Sequence, residues 1–228
     1  MSALRIDVVT IFPEVFPGPL GMSIPGRALE RGLATLVAHD LRQWGLGRHR
    51  SVDDYPYGGG AGMVMRPEPI HGALEALSGP DTTRVLLDPG GSTFRQSVAH
   101  DLAQRPHLVI VCPRYEGVDH RVRSMVDMEL SIGDYVLSGG ELPAMIVIDA
   151  VLRLLPGAID AESLRHESFA EGLLEYPQYT RPPEFVGLSV PDVLVSGNHG
   201  AVDEWRRNEA RKRTRTGRPD LVEDETAQ

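Results

Sequence analysis

The sequence predicts an α/β fold in which helices cover a parallel β-sheet. Residues 84–87 and 108–112 are short apolar runs of the kind that form buried strands, and the segment between them has helical periodicity. Parallel strands require a crossover connection that is usually helical, so this alternation indicates parallel pairing. At 228 residues and 41% hydrophobic, the chain can bury a core of that kind and carry a small appended domain.

The N-terminal part of the chain predicts one strand and one helix. Residues 6–11 form a β-branched apolar run, which is typical of a strand. Residues 25–36 have apolar side chains at helical spacing, and Pro25 suits a first helical turn. We therefore expect a strand over residues 6–11 and a helix over residues 25–36.

The middle of the chain supplies the strand, helix and strand on which the fold class depends. The strands are predicted at residues 84–87 and 108–112, with a helix over residues 93–104 between them. Ser92 or Thr93 is the expected N-cap of this helix, because a hydroxyl can accept a hydrogen bond from the first free N–H groups.

The C-terminal part predicts a long helix, a linker and a second domain. Residues 141–155 form the longest apolar stretch, which Pro156 would end. Residues 158–173 are polar and weakly periodic, which is typical of an interdomain linker. We expect one domain over residues 1–157 and a small, mainly helical domain over residues 174–228.

Composition excludes several classes of protein. No apolar run approaches the roughly 20 residues that a bilayer-spanning helix needs, so we expect no membrane segment. Cys112 is the single cysteine, which rules out an intrachain disulfide and a cysteine-rich zinc site. We therefore expect a cytoplasmic protein.

Charge is distributed unevenly along the chain. The formal net charge is -9, which taken alone disfavours nucleic acid as a partner. Residues 205–218, however, are rich in arginine, and a guanidinium group matches phosphate geometry well. A solvated helix face and a phosphate-binding face both account for this segment.

Known sequence motifs limit the classes of reaction that the chain could catalyse. The sequence has no phosphate-binding loop of the Walker type, no dinucleotide fingerprint, no zinc-protease motif and no nucleophile elbow. It has instead two polar loops rich in glycine, at residues 112–119 and 131–143, each following an apolar run. Ligand sites of α/β proteins lie in such positions, so we expect a ligand there.

Four motifs resemble those of the bacterial tRNA (guanine-N1)-methyltransferase family. They occupy residues 49–63, 114–119, 131–143 and 179–182, in the same order as in the family. The resemblance covers nearly the whole chain. It implies a fold of the SPOUT superfamily, in which the C-terminal part of the parallel sheet is tied into a deep trefoil knot. It also implies a homodimer whose active site is completed at the interface.

The resemblance further implies S-adenosylmethionine as cofactor, held by three loops at residues 86–91, 112–117 and 131–143. Ile132, Val136 and Leu137 would line an apolar slot for the adenine, although core packing also accounts for them. The cofactor-binding positions carried over are Leu86, Leu87, Pro89, Gly91, Pro113, Tyr115, Glu116, Gly117, Ser131, Ile132, Gly133, Asp134, Tyr135, Val136, Leu137, Gly139, Gly140 and Pro143.

This chain departs from the family pattern inside two of the three loops. Pro113 stands where the family usually has glycine, which removes one N–H donor. The run from Asp88 to Gly91 replaces the usual Ser-Pro-Gln-Gly. Contacts with the cofactor are therefore expected to differ at these positions.

Two residues are carried over as catalytic. Glu167 occupies the position of the family's general base, an aspartate directly before Ser-Phe. Arg153 matches the arginine that stabilises negative charge developing on the guanine O6. A solvated linker carboxylate accounts for Glu167 as well, and capping of its own helix accounts for Arg153.

The implied RNA substrate is the anticodon stem-loop of tRNA, methylated at N1 of guanine 37. Asp53, Gly58 and Gly59 match positions near the target guanine. The arginines expected to contact stem phosphates are Arg206, Arg207, Arg211 and Arg213. Magnesium is associated with the family, but no cluster in the sequence fixes a site for it.

Three functions fit these observations. The first is the tRNA guanine-N1 methyltransferase. The second is another SPOUT enzyme, which would methylate a ribose hydroxyl and would not need the Asp53 loop. The third is a non-catalytic RNA-binding protein, for which the basic C-terminal helix would suffice.

Overall fold

The computed structural model describes residues 3–160, 163–164, 167–169 and 172–223. The chain divides into two compact units, Met1–Ile159 and Asp160–Gln228. This division falls inside the segment predicted as a linker.

A five-stranded parallel sheet forms the centre of the first unit, which confirms the predicted α/β class. The strand order is β2-β1-β6-β5-β7, and every pairing in this sheet is parallel. The short strands β3 and β4 pair separately and antiparallel. The strands are β1 (Leu4–Thr10), β2 (Ala34–Asp40), β3 (Asp53–Asp54), β4 (Val64–Met65), β5 (Thr82–Thr93), β6 (His107–Val111) and β7 (Met128–Ser131).

Helices cover both faces of this sheet. Alternate residues of β1 point to opposite faces, so Ile6 and Val9 belong to two different hydrophobic clusters. One cluster includes Ile148 of α5, and the other includes Ile70 of α3. The helices of this unit are α1 (Pro17–Leu20), α2 (Ser23–Glu30), α3 (Pro67–Leu77), α4 (Gln96–Ala103) and α5 (Glu141–Leu152).

The helix predicted over residues 25–36 is wrong beyond residue 30. Gly32 has φ +69°, its N–H donates to the carbonyl of Leu29, and the N–H of Leu33 donates to that of Ala28. These two bonds form a Schellman motif, which ends α2. Ala34 then begins β2, which pairs with β1, so the helical spacing of the apolar residues is misleading there.

Two other predicted helices are shorter than expected. Ser92 and Thr93 belong to β5, and α4 begins only after Arg95, which makes no side-chain cap. The long helix ends at Leu152 rather than residue 155, because two tight turns follow before Pro156.

The second unit contains the predicted basic helix. This helix, α7 (His199–Gly217), starts at Asn198, whose side chain accepts a hydrogen bond of 3.2 Å from the N–H of Ala201. The remaining elements are the antiparallel strands β8 (Glu184–Phe185) and β9 (Leu188–Ser189) and the short helices α6 (Asp192–Val195) and α8 (Asp220–Glu223). The acidic sequence beyond residue 219 predicts a frayed tail, which is wrong for residues 220–223, because they form α8; residues 224–228 lie outside the described residues.

Candidate functional site

A cavity of about 230 Å³ opens where β6 and β7 end and β5 bulges out of the sheet. Three segments form its walls: residues 87–89, residues 113–117, and residues 130–140, with Pro143 from α5. Parallel α/β sheets bind ligands beyond the carboxyl ends of their strands, so the position of this cavity is that of a ligand site.

The first wall is an excursion from β5. Leu87 and Ser92 both pair with Leu130 of β7, so residues 88–91 leave the ladder of hydrogen bonds. Gly91 packs against the backbone of β7, where an added Cβ would come within 2.6 Å of the Leu130 nitrogen. Glycine at this position is therefore required by packing within the protein.

The second wall turns sharply after β6. Tyr115 has φ +59° and Gly117 has φ +101°, both in the left-handed region. The N–H of Glu116 donates to the carbonyl of Met63 at 2.9 Å, and the carbonyl of Gly117 accepts from the N–H of Met65 at 2.9 Å. Backbone hydrogen bonds thus fasten this wall to the segment that contains Asp53, Gly58 and Gly59.

The third wall, residues 131–140, carries exposed apolar side chains. Val136 is 87% exposed and Leu137 is 38% exposed, whereas Ile132 is half-buried and packs against the core. Core packing therefore does not account for Val136 and Leu137. The Tyr135 hydroxyl donates to the carbonyl of Ile132 at 3.2 Å, which folds this wall back on itself.

Gly139 and Gly140 allow the second and third walls to meet. An added Cβ on Gly139 would lie 2.2 Å from Nε of Arg114, and one on Gly140 would lie 2.7 Å from Cα of Cys112. The N–H of Gly140 donates to the carbonyl of Pro113 at 2.8 Å. Pro113 lacks an N–H donor, but its carbonyl is used to join the walls.

A partly buried ion pair reinforces the same junction. Arg114 Nε lies 2.8 Å from Oε2 of Glu141, the first residue of α5, and Oε1 of Glu141 accepts from Thr10 Oγ1 at 2.7 Å. The Arg114 guanidinium also donates to the carbonyl of Ser138 at 3.1 Å and stacks on the ring of Phe12. These contacts hold the end of β1, the second and third walls and the start of α5 around one cavity, although they are far apart in sequence.

Most residues predicted to bind the cofactor line this cavity. They are Leu87, Pro89, Pro113, Tyr115, Glu116, Gly117, Ser131, Ile132, Gly133, Tyr135, Val136, Leu137, Gly139, Gly140 and Pro143. Leu86 is fully buried in the core, Gly91 packs against β7, and Asp134 is exposed, and none of these three lines it.

Four residues line the cavity that were not among the carried-over positions: Asp88, Arg114 and Ser138 lie inside the three predicted loops, and Leu130 lies outside them. Arg114 lies inside a recognised motif, and its role depends on a carboxylate 27 positions later, a pairing that a single sequence does not reveal. Asp88 stood out only as a departure from the family pattern.

Burial changes the acidity of two groups at the second wall. Burial raises the pKa of the Tyr115 hydroxyl, and the negative charge of Asp53 raises it further. Burial also raises the pKa of the Cys112 thiol well above its ordinary value, with the Glu141 carboxylate adding to the effect. Both groups are therefore neutral at physiological pH, and Cys112 is part of the core.

The loop predicted to lie near the target guanine is open to solvent. Gly58 and Gly59 both have positive φ, at +87° and +76°, and the side chain of Tyr57 is fully exposed. Asp53 pairs with Met65 in the short β3–β4 ribbon, beside the backbone bonds to the second wall. Polar and aromatic groups of this loop are thus available to a large ligand.

The second unit has a cavity of its own, of about 330 Å³. Glu167 lines it together with three arginines of α7, Arg206, Arg207 and Arg211. Glu167 is half-buried, so a fully solvated carboxylate does not describe it.

The four arginines of α7 that are predicted to contact stem phosphates divide into two pairs. The Arg206 guanidinium stacks on the ring of Tyr176, 5.0 Å from its centroid, and Arg213 donates to the carbonyl of Glu175 at 3.0 Å. Arg207 and Arg211 are exposed. Two of the four predicted tRNA contacts therefore also hold the second unit together.

Arg153, the other predicted catalytic residue, follows the last residue of α5. Its backbone N–H donates to the carbonyl of Asp149 at 3.2 Å, so the residue occupies the C-cap position. Its side chain is half-buried. Arg153 belongs to the first unit, whereas Glu167 belongs to the second.

Within the described ranges, no group of three or more His, Cys, Asp or Glu side chains could hold a metal ion. No helix in the described part of the chain is both long and apolar enough to cross a bilayer.

The parallel sheet and the glycine-lined cavity at its carboxyl edge are the features of an α/β protein with a candidate ligand site at the ends of its strands. A family model described as tRNA (Guanine-1)-methyltransferase TrmD matches residues 4–224. The chain therefore belongs to the tRNA (guanine-1)-methyltransferase family.

Curated relatives agree with this assignment. The tRNA (guanine-N(1)-)-methyltransferase of Dictyoglomus turgidum is 55% identical over 221 residues, which cover 96% of this chain and 90% of the relative. The proteins of the same name from Chloroflexus aggregans and Levilactobacillus brevis are 54% and 50% identical, over 96% of this chain and 88% and 90% of their own lengths.

Proposed function

We propose that this chain transfers a methyl group from S-adenosylmethionine to N1 of guanine 37 in tRNA. The observation that carries the proposal is the family match over residues 4–224. The cavity supports it, because its walls are the loops to which the family resemblance assigns the cofactor.

The cavity suits S-adenosylmethionine, which supplies an electrophilic methyl group when bound. An adenine ring needs an apolar slot with backbone donors and acceptors along its edge. Ile132 and Leu137 offer the apolar surface, and the backbone near Gly133 and Gly139 offers polar groups close by. The exposed Val136 and Leu137 side chains gain burial when a ligand covers them.

The reaction requires one proton acceptor and one cation. N1 of guanine carries a proton at neutral pH, so a base must remove it as the methyl group arrives, and charge then builds up on O6. In the proposal Glu167 accepts the proton and Arg153 stabilises the charge on O6. No step is assigned to magnesium.

A homodimer accounts for the apolar surface of the first unit. Leu142 and Ile146 are 57% and 47% exposed, although they lie four residues apart on one face of α5. A second copy packing on this face would bury them, and it could bring Glu167 of one protomer to the cofactor of the other.

We also propose the family's trefoil knot, with the Gly140–Pro113 hydrogen bond at the crossing of its loops.

The tRNA would contact both units. Arg207 and Arg211 are exposed on α7 and suit the stem phosphates, which contribute affinity rather than base choice. The loop with Asp53, Gly58 and Gly59 is bonded to the second wall of the cavity, so it is placed to recognise bases near the methyl donor. In this role the second unit is a tRNA-binding domain. Because the substrate is tRNA, we propose that the protein is cytoplasmic.

A methylation assay tests the proposal. The purified chain is incubated with labelled S-adenosylmethionine and anticodon stem-loop transcripts that carry guanine, inosine or adenine at position 37. We expect incorporation with guanine and inosine, which share the N1 proton and O6, and none with adenine. Incorporation regardless of the base would contradict base methylation and favour a ribose methyltransferase, and no incorporation would favour a non-catalytic RNA-binding protein.

A further inference from the structure

The excursion of β5 that forms the first wall is held by one carboxylate, that of Asp88. Its Oδ1 accepts a hydrogen bond from the N–H of Gly90 at 2.8 Å, which closes a tight turn inside the excursion. Its Oδ2 lies 3.0 Å from Nη2 of Arg123. Both oxygens are therefore engaged by the protein, although Asp88 lines the cavity.

Arg123 connects this turn to the neighbouring strand. Its other terminal nitrogen, Nη1, pairs with the carboxylate of Glu129, and Glu129 lies opposite Leu86 in the β5–β7 ladder. One guanidinium thus spans the start of the excursion and the strand that leads into the third wall. The side chains of Asp88 and Arg123 are 15% and 31% exposed, so this bridge is better shielded from water than a surface ion pair.

The Asp88–Arg123 pair helps to fix the position of residues 88–91 beside the cavity. Residues 88–91 have left the sheet ladder, so their position depends on the turn, on the packing of Gly91 and on the bridge to Arg123. The serine usual in the family could close the same turn with its hydroxyl. A serine hydroxyl cannot form an ion pair with Arg123, so the bridge belongs to the aspartate of this chain.

We infer that Asp88 and Arg123 act together as positioning residues that hold the first wall in its ligand-binding form. The inference rests on the proposed function, because the ligand concerned is S-adenosylmethionine. Arg123 does not line the cavity, and it acts through Asp88 and the adjoining Leu87 and Pro89.

A double-mutant cycle on S-adenosylmethionine affinity, measured by titration calorimetry, tests the inference. Asp88→Ser keeps the turn and removes the bridge, while Arg123→Met removes the bridge from the other side. We expect each to weaken binding about tenfold, since charged hydrogen bonds contribute on this scale. The double variant should be no weaker than the weaker single variant, and Arg123→Lys should fall between Arg123→Met and the unmodified chain.

Arg84→Met is the matched control. Arg84 also joins β5 to neighbouring segments, because its guanidinium donates to Ser78 Oγ and to the Met125 carbonyl. It does not line the cavity. We expect this variant to bind S-adenosylmethionine like the unmodified chain. In steady-state assays Asp88→Ser should raise KM for S-adenosylmethionine and leave kcat and KM for tRNA unchanged, whereas a loss of folded protein would lower kcat instead.

The outcomes separate the inference from the proposed function. Affinities within twofold of the unmodified chain for both single variants, or additive losses in the double variant, would overturn the coupled role of Asp88 and Arg123. An unmodified chain that binds no S-adenosylmethionine would overturn the proposed cofactor, and the inference with it.

Discussion

Arg114 and Glu141 form an ion pair of 2.8 Å that joins the second wall of the cavity to the start of α5. Glu141 is 3% exposed and stands at the N-terminus of α5, where the helix dipole favours a negative charge. The geometry of the candidate cofactor site therefore depends on a contact that the cofactor itself need not touch.

Neutralising Glu141 should weaken the fold and the site together. Glu141→Gln leaves the Arg114 guanidinium without its buried counter-charge, and breaking such a pair costs about 3 kcal/mol. We expect a drop of that order in the free energy of unfolding, measured with urea, and weaker binding of S-adenosylmethionine. Thr10→Val is the comparison variant, since it removes the hydroxyl that donates to Glu141 and accepts from the N–H of Phe12 but leaves the charge of Glu141 in place. Equal stability of Glu141→Gln and the unmodified chain would contradict the structural role of the pair.

A single methyl group at Gly140 should disturb the junction of the second and third walls. Its Cβ would lie 2.7 Å from Cα of Cys112 and 2.8 Å from Cδ of Pro113, which is too close for carbon atoms. Gly140→Ala should therefore cost about 1–3 kcal/mol of stability and weaken cofactor binding. Gly79→Ala is the matched control, because its nearest such contact is 4.0 Å. Thermal unfolding and calorimetric titration of both variants test this prediction, and similar behaviour of the two would refute it.

The role of Glu167 can be tested by removing its charge at nearly constant shape. Glu167→Gln should lower turnover by about two orders of magnitude or more, because a general base contributes on that scale. Binding of S-adenosylmethionine should persist. Glu184→Gln, which changes an exposed carboxylate of the same unit, should leave turnover unchanged. Single-turnover assays with the enzyme in excess over tRNA and with saturating S-adenosylmethionine measure the effect, and near-normal turnover of Glu167→Gln would contradict its role as general base.

Asp7 of β1 should make stability depend on pH. Burial raises the pKa of its carboxyl, but hydrogen bonds from His39, His107 and Arg5 outweigh burial and hold the pKa below its ordinary value. A lowered pKa stabilises the fold above the unfolded-state value, and this contribution disappears as the pH falls through the folded-state pKa.

Asp7→Asn should therefore lower the free energy of unfolding by about 1–3 kcal/mol near pH 7, where the hydrogen bonds to a charged acceptor are lost. The difference from the unmodified chain should shrink below about pH 4. Urea unfolding at several pH values measures it, with Asp81→Asn as an exposed control. A difference that stays constant from neutral to acid pH would rule out the contribution of the charge.

The fold class could be predicted from sequence because it depends on local patterns. Apolar runs and helical spacing mark β5, α4 and β6, and their alternation implies the parallel sheet. The second strand was missed because Leu33 and Leu36 continue a helical spacing past Gly32. Only the pairing of Ala34 with Leu4, which is a tertiary contact, shows that a strand begins there.

The parts of the candidate site that lie in recognisable motifs could be predicted from sequence. The parts that depend on contacts between residues far apart in the chain could not. The motif loops contain most of the residues that line the cavity. The bridges from Arg114 to Glu141 and from Arg123 to Asp88 join residues 27 and 35 positions apart, and neither has a local sequence pattern. Gly139 and Gly140 were predicted as cofactor-binding positions. The structure shows that the absence of a side chain at these positions also lets Arg114 and Cys112 approach closely.

The position of the methyl group in the product shows directly whether the chain methylates N1 of guanine 37. A full-length tRNA transcript with guanine at position 37 is incubated with the chain and S-adenosylmethionine, digested to nucleosides and fragments, and analysed by mass spectrometry. We predict one added methyl group per tRNA, recovered as N1-methylguanosine from position 37. A methyl group on a ribose, or on any other nucleotide, would contradict the account.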